Sequence, residues 1–253
     1  MNSYDSFLKL HQNATPLLLG NAWDVTTAKI LEQNGSKAIG TSSWAVAQSM
    51  GFEDGENISF DLLLQVAKRI SKSITVPFSV DMESGYSRKI PEIAENIEKL
   101  HDTGVVGINL EDSVKRQLVP VEDFQRTLAG VADLLVKKNI RIYINARTDA
   151  YILKHPSPLE ETIAGIKAYE NHGATGIFVP YVFDKTDIKK IVESTKLPIN
   201  VLCNVSLPAF SELRDLGVKR VSMGSGLFNA MNASMKKILE GFNSEQSGQI
   251  LFR

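Results

Sequence analysis

The sequence predicts a single (β/α)₈ barrel, and three observations carry that prediction. Eight short apolar runs alternate with eight helix-length amphipathic segments along the 253 residues. The apolar runs are continuous, as in Ile177-Phe178-Val179, which is how strands buried on both faces read. No linker, low-complexity tract or charge block divides the chain, and its length suits one barrel of roughly 250 residues. An open doubly wound sheet for a nucleotide would need a glycine-rich turn after its first strand. Here that turn reads Gly20-Asn21-Ala22-Trp23-Asp24, with no G-x-G-x-x-G pattern.

Taken in order, the strands are expected at residues 17–20, 38–41, 77–81, 105–110, 141–146, 176–180, 199–203 and 220–223. The helices are expected at 25–34, 60–71, 90–103, 121–138, 159–172, 185–194, 209–216 and 226–239. Four helices stop near a glycine: Asn34-Gly35, Thr103-Gly104, His172-Gly173 and Leu216-Gly217. The last is expected to stop the same way at Glu240-Gly241, glycine being the usual residue just past a final turn. Lys137-Lys138 and Lys236-Lys237 read as solvated last-turn residues, where positive charge suits the helix dipole. The segment 42–57 is long and mixes polar residues with glycine, the mark of a functional loop in a compact domain. Residues 1–253 are read as one domain, with 243–253 a tail that is either mobile or docks Ile250-Leu251-Phe252 on a neighbouring subunit.

Composition narrows the function. A formal net charge of −1 offers no field for nucleic acid or an anionic membrane. One cysteine, Cys203, excludes an internal disulfide; with a mixed, polar N-terminus, this points to the cytoplasm. No apolar run approaches the roughly 20 residues that span a bilayer. Cys203 sits in an apolar run and reads as a small buried hydrophobe. His11, His101, His155 and His172 have no metal-ligand spacing and read as surface or helix-end residues.

The chemistry gathers at strand ends. The third strand runs into Ser79-Val80-Asp81-Met82-Glu83-Ser84-Gly85-Tyr86, which puts Asp81 and Glu83 on one face if the strand alternation continues. Two such carboxylates either bind a hard divalent cation, Mg²⁺ with several waters, or form a solvated strand end. Their company favours the cation. The second strand ends in Thr41-Ser42-Ser43-Trp44, the fourth in Asn109-Leu110-Glu111-Asp112, the fifth in Asn145-Ala146-Arg147-Thr148-Asp149 and the seventh in Asn204-Val205-Ser206. In a barrel these ends form one mouth, where active sites lie. The opposite ends carry no comparable cluster. Gly224-Ser225-Gly226, after the eighth strand, reads as a turn that needs no ligand.

The sequence resembles the isocitrate lyase and phosphoenolpyruvate mutase superfamily, in a branch like the carboxyphosphonoenolpyruvate phosphonomutase-like proteins. The resemblance rests on VDMESGY, GINLED, INARTDAY and NAWDVTTAKILEQNGSKAIGTSS, and spans residues 21–226. It implies that Asp81, Glu83 and Glu111 hold Mg²⁺, largely through waters, with Asp54 as a further acid. It implies that Ser42, Ser43 and Trp44 grip a substrate carboxylate or phosphonate. Arg147 would pair with a substrate carboxylate, for which its planar fork is suited, and Asn204 and Ser206 would make polar substrate contacts. It also implies a homo-oligomer, a dimer or tetramer, packed through the last helices.

The departures bear on the reaction. Lyases of the family carry Lys-Lys-Cys-Gly-His or Lys-Arg-Cys-Gly-His after the fourth strand, whose cysteine is an acid/base. Here the segment is Ser113-Val114-Lys115-Arg116-Gln117-Leu118, without cysteine or histidine. After the sixth strand the family's Pro-Glu is Pro180-Tyr181. Decarboxylation needs a stabilised enolate but no base on the substrate, so it tolerates the missing cysteine. The expected activity is a Mg²⁺-dependent lyase or decarboxylase on a small, oxaloacetate-like 2-oxo or 2-hydroxy carboxylate. The alternatives are a phosphonate-processing mutase or hydrolase, and a non-catalytic 2-oxo acid binding protein.

Overall fold

The computed structural model describes residues 3–252; Met1, Asn2 and Arg253, the ends of the range read as one domain, lie outside the described residues. In chain order the elements are α1 (Ser3–Leu10), β1 (Leu17–Ala22), α2 (Val25–Gln33), β2 (Ile39–Thr41), α3 (Ser43–Ser49), α4 (Phe60–Ser71), β3 (Phe78–Asp81) and α5 (Ile90–Asp102). Then come β4 (Gly107–Glu111), β5 (Ser113–Val114), β6 (Gln117–Leu118), α6 (Val121–Lys137), β7 (Tyr143–Arg147), α7 (Pro158–Tyr169) and β8 (Gly176–Val179). The chain continues through α8 (Lys185–Glu193), β9 (Ile199–Leu202), α9 (Phe210–Asp215), β10 (Arg220–Ser222), α10 (Gly226–Glu245) and a 3₁₀ turn, Gly248–Phe252.

Eight strands close in the order β1-β10-β9-β8-β7-β4-β3-β2. All eight pairings are parallel, and the seam sets Leu17 beside Arg220. The expected barrel is therefore present. The helices bury one stripe each: α4 turns Leu63, Val66, Ala67 and Ile70 inward, the spacing of a single helical face. Asp24 opens α2 by accepting from Thr27 N at 2.7 Å, satisfying one of the free first-turn donors.

Five features depart from what the sequence leads one to expect. α1, α3 and the β5–β6 hairpin are additional elements. α10 runs through Gly241 to Glu245, because the 3₁₀ turn folds back and Ile250 occupies the space a Cβ at Gly241 would need. His11 is buried, not superficial: it stacks on Tyr143 at 4.4 Å and bonds Phe7 O through Nδ1. Burial, with the Arg220 charge nearby, pushes its imidazole down to about 3.

The barrel floor explains His11. Phe7, on α1, and Tyr143, on β7, fill the end opposite the strand C-termini, and glycines make room for them. A Cβ at Gly107 would meet the Phe7 ring at 2.7 Å, and one at Gly176 would meet Tyr143 Oη at 2.0 Å. Arg220 lies in the same interior, fully buried, with Nε donating to Ser222 Oγ at 3.1 Å. Gly176→Ala is therefore expected to lower stability by roughly 1–3 kcal/mol, the usual cost of overpacking. An unchanged urea midpoint would show that Tyr143 does not fill that space.

Candidate active site

The strand C-termini form a mouth with two adjoining cavities, of about 380 Å³ and about 60 Å³. Ser43, Asp54, Arg116, Arg147 and Ile152 line both. Asp81, Ser42 and Trp44 line the larger one; Glu83, Glu111 and Asp149 line the smaller.

Asp81 ends β3. Its backbone N–H donates to Thr41 Oγ1 at 2.8 Å, and its Oδ2 accepts from Ser43 Oγ at 3.0 Å. Its Oδ1 is buried with no hydrogen-bond partner, and so is Oδ1 of Asp54. Glu83 lies beyond β3, with φ of +50°, so strand alternation does not carry it to the site as expected; a left-handed residue does. Glu83 Oε2 accepts from Glu56 N at 2.6 Å and Oε1 from Tyr86 Oη at 3.2 Å. Glu56 in turn accepts from Ser84 Oγ and Tyr86 N and pairs with Arg88. This latch ties the 54–57 loop, and with it Asp54, to the segment after β3.

Burial, with neighbouring acids, disfavours ionisation of Glu83, Asp54 and Glu111. Burial first, then the charges of Asp54 and Asp81, push Glu83 up to about 8. Burial and Asp81 raise Asp54. Glu111 is raised well above the carboxylate range by burial, against the opposing pull of Arg147. A carboxyl raised in the folded state holds a proton that the unfolded chain has lost, so stability falls as pH rises between the two values. For Glu83 that window runs from about 4.5 to about 8. Metal-free protein is expected to melt at progressively lower temperature across that range. Glu83→Gln should flatten the slope; an unaltered slope would remove Glu83 as its source.

Arg147 does not face the acids with a free fork. Its Nε and Nη2 donate to the two oxygens of Asp149 at 2.6 and 3.2 Å, and Nη1 lies 2.9 Å from Glu111 Oε2. Glu111 also accepts from Ser113 Oγ at 3.1 Å. The arginine holds the fourth and fifth barrel strands together at the rim, with part of its edge left toward the cavity. Behind it, Asp112 accepts from Asp149 N and Tyr169 Oη and is raised to about 7 by burial and Asp149. The sequence reading named Asp112 and Asp149 as neighbours of the site but not their bracing role.

Ser42 caps α3, accepting from Ala45 N at 3.3 Å, so its hydroxyl is already engaged. Asn204 and Ser206, expected as substrate contacts, line neither cavity: Ser206 is exposed, and its N–H donates to Asn204 Oδ1 at 2.7 Å in a local turn. Leu202 takes that part of the wall, beside Phe178, Pro180 and Tyr181. Gly224 and Ser225 do reach the cavity, and Gly224 N donates to Asn21 Oδ1 at 2.9 Å. Among the described non-glycine residues nine have positive φ, and five of them line the cavities of this mouth: Glu56, Glu83, Lys115, Arg116 and Tyr181. Strain of this kind collects at functional sites. Lys115 and Arg116 form the two-residue turn of the β5–β6 hairpin, where both central residues need positive φ.

Among the described residues, no three carboxylate, histidine or cysteine side chains are grouped to ligate a bare ion. The donor set still fits a cation that keeps its waters: acceptor-only groups, two buried oxygens without partners, and Glu83 and Asp54 raised by the acids beside them. Asp81, Glu83 and Asp54 are the residues that could hold it, with Glu111 already paired to Arg147.

A profile of the phosphoenolpyruvate phosphomutase family matches residues 7–243. An oxaloacetate decarboxylase of Pseudomonas fluorescens is 25% identical, over 89% of this chain and 79% of that protein. The crystal structure of a phosphonomutase candidate from Burkholderia cenocepacia superposes with a TM-score of 0.90 at 31% identity, covering 94% of this chain and 99% of that one. A phosphonopyruvate hydrolase in complex with oxalate and Mg²⁺ superposes with a TM-score of 0.86 at 19% identity, over 98% of this chain and 89% of that one.

Proposed function

Because the chain belongs to the phosphoenolpyruvate phosphomutase family, we propose that it is a Mg²⁺-dependent lyase or decarboxylase acting on a small 2-oxo or 2-hydroxy carboxylate of the oxaloacetate kind. The observation that carries this reading is Asp81: a buried carboxylate at a barrel-strand end, with one oxygen steered by Ser43 and the other without a partner. Such an oxygen costs several kcal/mol unless it meets a cation or a proton. When bound, Mg²⁺ supplies stabilisation for the negative charge that develops on the substrate's 2-oxo oxygen.

The chain's own residues do the rest. Ser43 Oγ holds Asp81 in one rotamer by donating to Oδ2. The Glu56 latch keeps Asp54 and Glu83 over the smaller cavity. The part of the Arg147 edge left by Asp149 and Glu111 faces the substrate carboxylate. In decarboxylation the C3–C4 electron pair moves into the enolate as CO₂ departs, and water delivers the proton to C3. That route needs no cysteine in the β5–β6 hairpin.

The test is release of a 2-oxo acid from oxaloacetate, 2-hydroxy acids and phosphonopyruvate, with Mg²⁺ and with chelator. Turnover that chelator abolishes and Mg²⁺ restores supports the reading. Tight calorimetric binding of 2-oxo acids without turnover would replace the enzyme by a binding protein.

A further inference from the structure

The larger cavity is divided by chemistry. Among the described residues, the charged groups that line it are Asp54, Asp81, Arg116 and Arg147, all from segments that precede β8. From β8 onward the apolar part of the wall is Phe178, Pro180, Tyr181 and Leu202, joined by Ile152 from the loop after β7, with Trp44 on the side of β2. Neutral polar groups of β1, of β10 and of the segment after it, Asn21, Ser222, Ser225 and Asn229, close the remaining side. In the strand order β3 and β9 are four places apart in a closed ring of eight, so Asp81 and Leu202 stand on opposite sides of the mouth. A substrate head held by Asp81 and Arg147 therefore projects its far end onto an apolar wall.

Size agrees with chemistry. The cavity is about 380 Å³, whereas roughly 150 Å³ accommodates a six-carbon ring. A three- or four-carbon acid leaves much of it unfilled. A second carboxylate against Leu202 would be desolvated; the cations that line the cavity, Arg116 and Arg147, come from segments before β8, with Arg147 lying 5.9 Å from the Phe178 ring. Tyr181 is held with φ of +66°, an unfavourable conformation for a bulky side chain, and its side chain lines that edge of the cavity.

We propose that the 2-oxo acid unit handled by this site is an aliphatic one longer than pyruvate, with its alkyl chain at C3 lying on the wall of Ile152, Phe178, Tyr181 and Leu202. This rests on the proposed 2-oxo acid chemistry but is read by binding alone. The experiment is calorimetry of the full chain with Mg²⁺ and a homologous series: pyruvate, 2-oxobutyrate, 2-oxopentanoate and 4-methyl-2-oxopentanoate, with 2-oxoglutarate as the charged counterpart of 2-oxopentanoate. The dissociation constant is expected to fall about fourfold per added methylene, the factor that burying one CH₂ supplies. 2-Oxopentanoate is expected to bind at least tenfold tighter than 2-oxoglutarate. Leu202→Ser should flatten the series. A flat series in the parent chain, or tighter binding of 2-oxoglutarate, overturns the apolar tail and leaves the function intact. Absence of Mg²⁺-dependent turnover on every acid overturns the function instead, and a rising affinity series would still establish the apolar wall.

Discussion

Asp81→Ala is expected to reduce Mg²⁺-dependent turnover by about a thousandfold or more, the scale on which removing one charge-stabilising element acts. The side chain is unusual in leaving a buried oxygen without a partner while its other oxygen is fixed by Ser43. The same substitution should not harm the fold. Asp81 is one of the charges that push Glu83 up, so deleting it relieves repulsion among buried acids. Metal-free Asp81→Ala or Asp81→Asn is expected to melt at or above the parent temperature, the usual trade between activity and stability. Full activity with unchanged Mg²⁺ affinity would end the functional reading. A large fall in melting temperature would show that Asp81 is structural.

Arg147→Met is expected to lose about 3–5 kcal/mol of stability, because removing one member of a buried ion pair leaves the others uncompensated. Two carboxylates depend on it: Asp149 accepts two of its N–H groups, and Glu111 lies against Nη1. The side chain is 15% exposed, so solvent screening is slight. Arg147→Lys should not rescue, since an ammonium cannot fork onto both Asp149 oxygens. Adding Glu111→Gln to Arg147→Met should recover part of the loss. Urea denaturation without Mg²⁺ measures all three. A loss within 0.5 kcal/mol would return Arg147 to the purely substrate-facing role that its position in the sequence suggests.

The fold was legible because its signals are local and repeated. Continuous runs such as Ile177-Phe178-Val179, separated by glycine stops at Gly35, Gly104, Gly173 and Gly217, place the eight barrel strands within a residue or two of where they lie. Gly241 misled because its role is tertiary: Ile250 packs onto it. Hydrophobic periodicity is silent about His11, whose burial depends on Tyr143, far along the chain. For the site, the rule that barrel strand ends carry chemistry puts Asp81, Glu111 and Arg147 at one mouth, and all three line its cavities. It could not show that Arg147 is engaged by Asp149, since an i, i+2 pair just past a strand has no fixed geometry. Asn204 and Ser206 were misplaced for the converse reason: a turn after β9 bonds them to each other. The Glu56 latch had no signal in the sequence, because it joins two loops through backbone and side-chain bonds.

The seam between β1 and β10 has a consequence for biosynthesis. Leu17 pairs with Arg220 and Leu19 with Ser222, so the first barrel strand has its lasting neighbour on that side only after nearly the whole chain has been made. Until then β1 presents an open edge able to recruit a strand from another molecule. The plug formed by Phe7 and Tyr143 is likewise a pairing of distant residues. Contacts of such long sequence separation make folding slow, and slow closure with an exposed edge is the condition under which nascent chains aggregate. Yield on overexpression should therefore respond to growth temperature and chaperone supply more than to changes at the mouth.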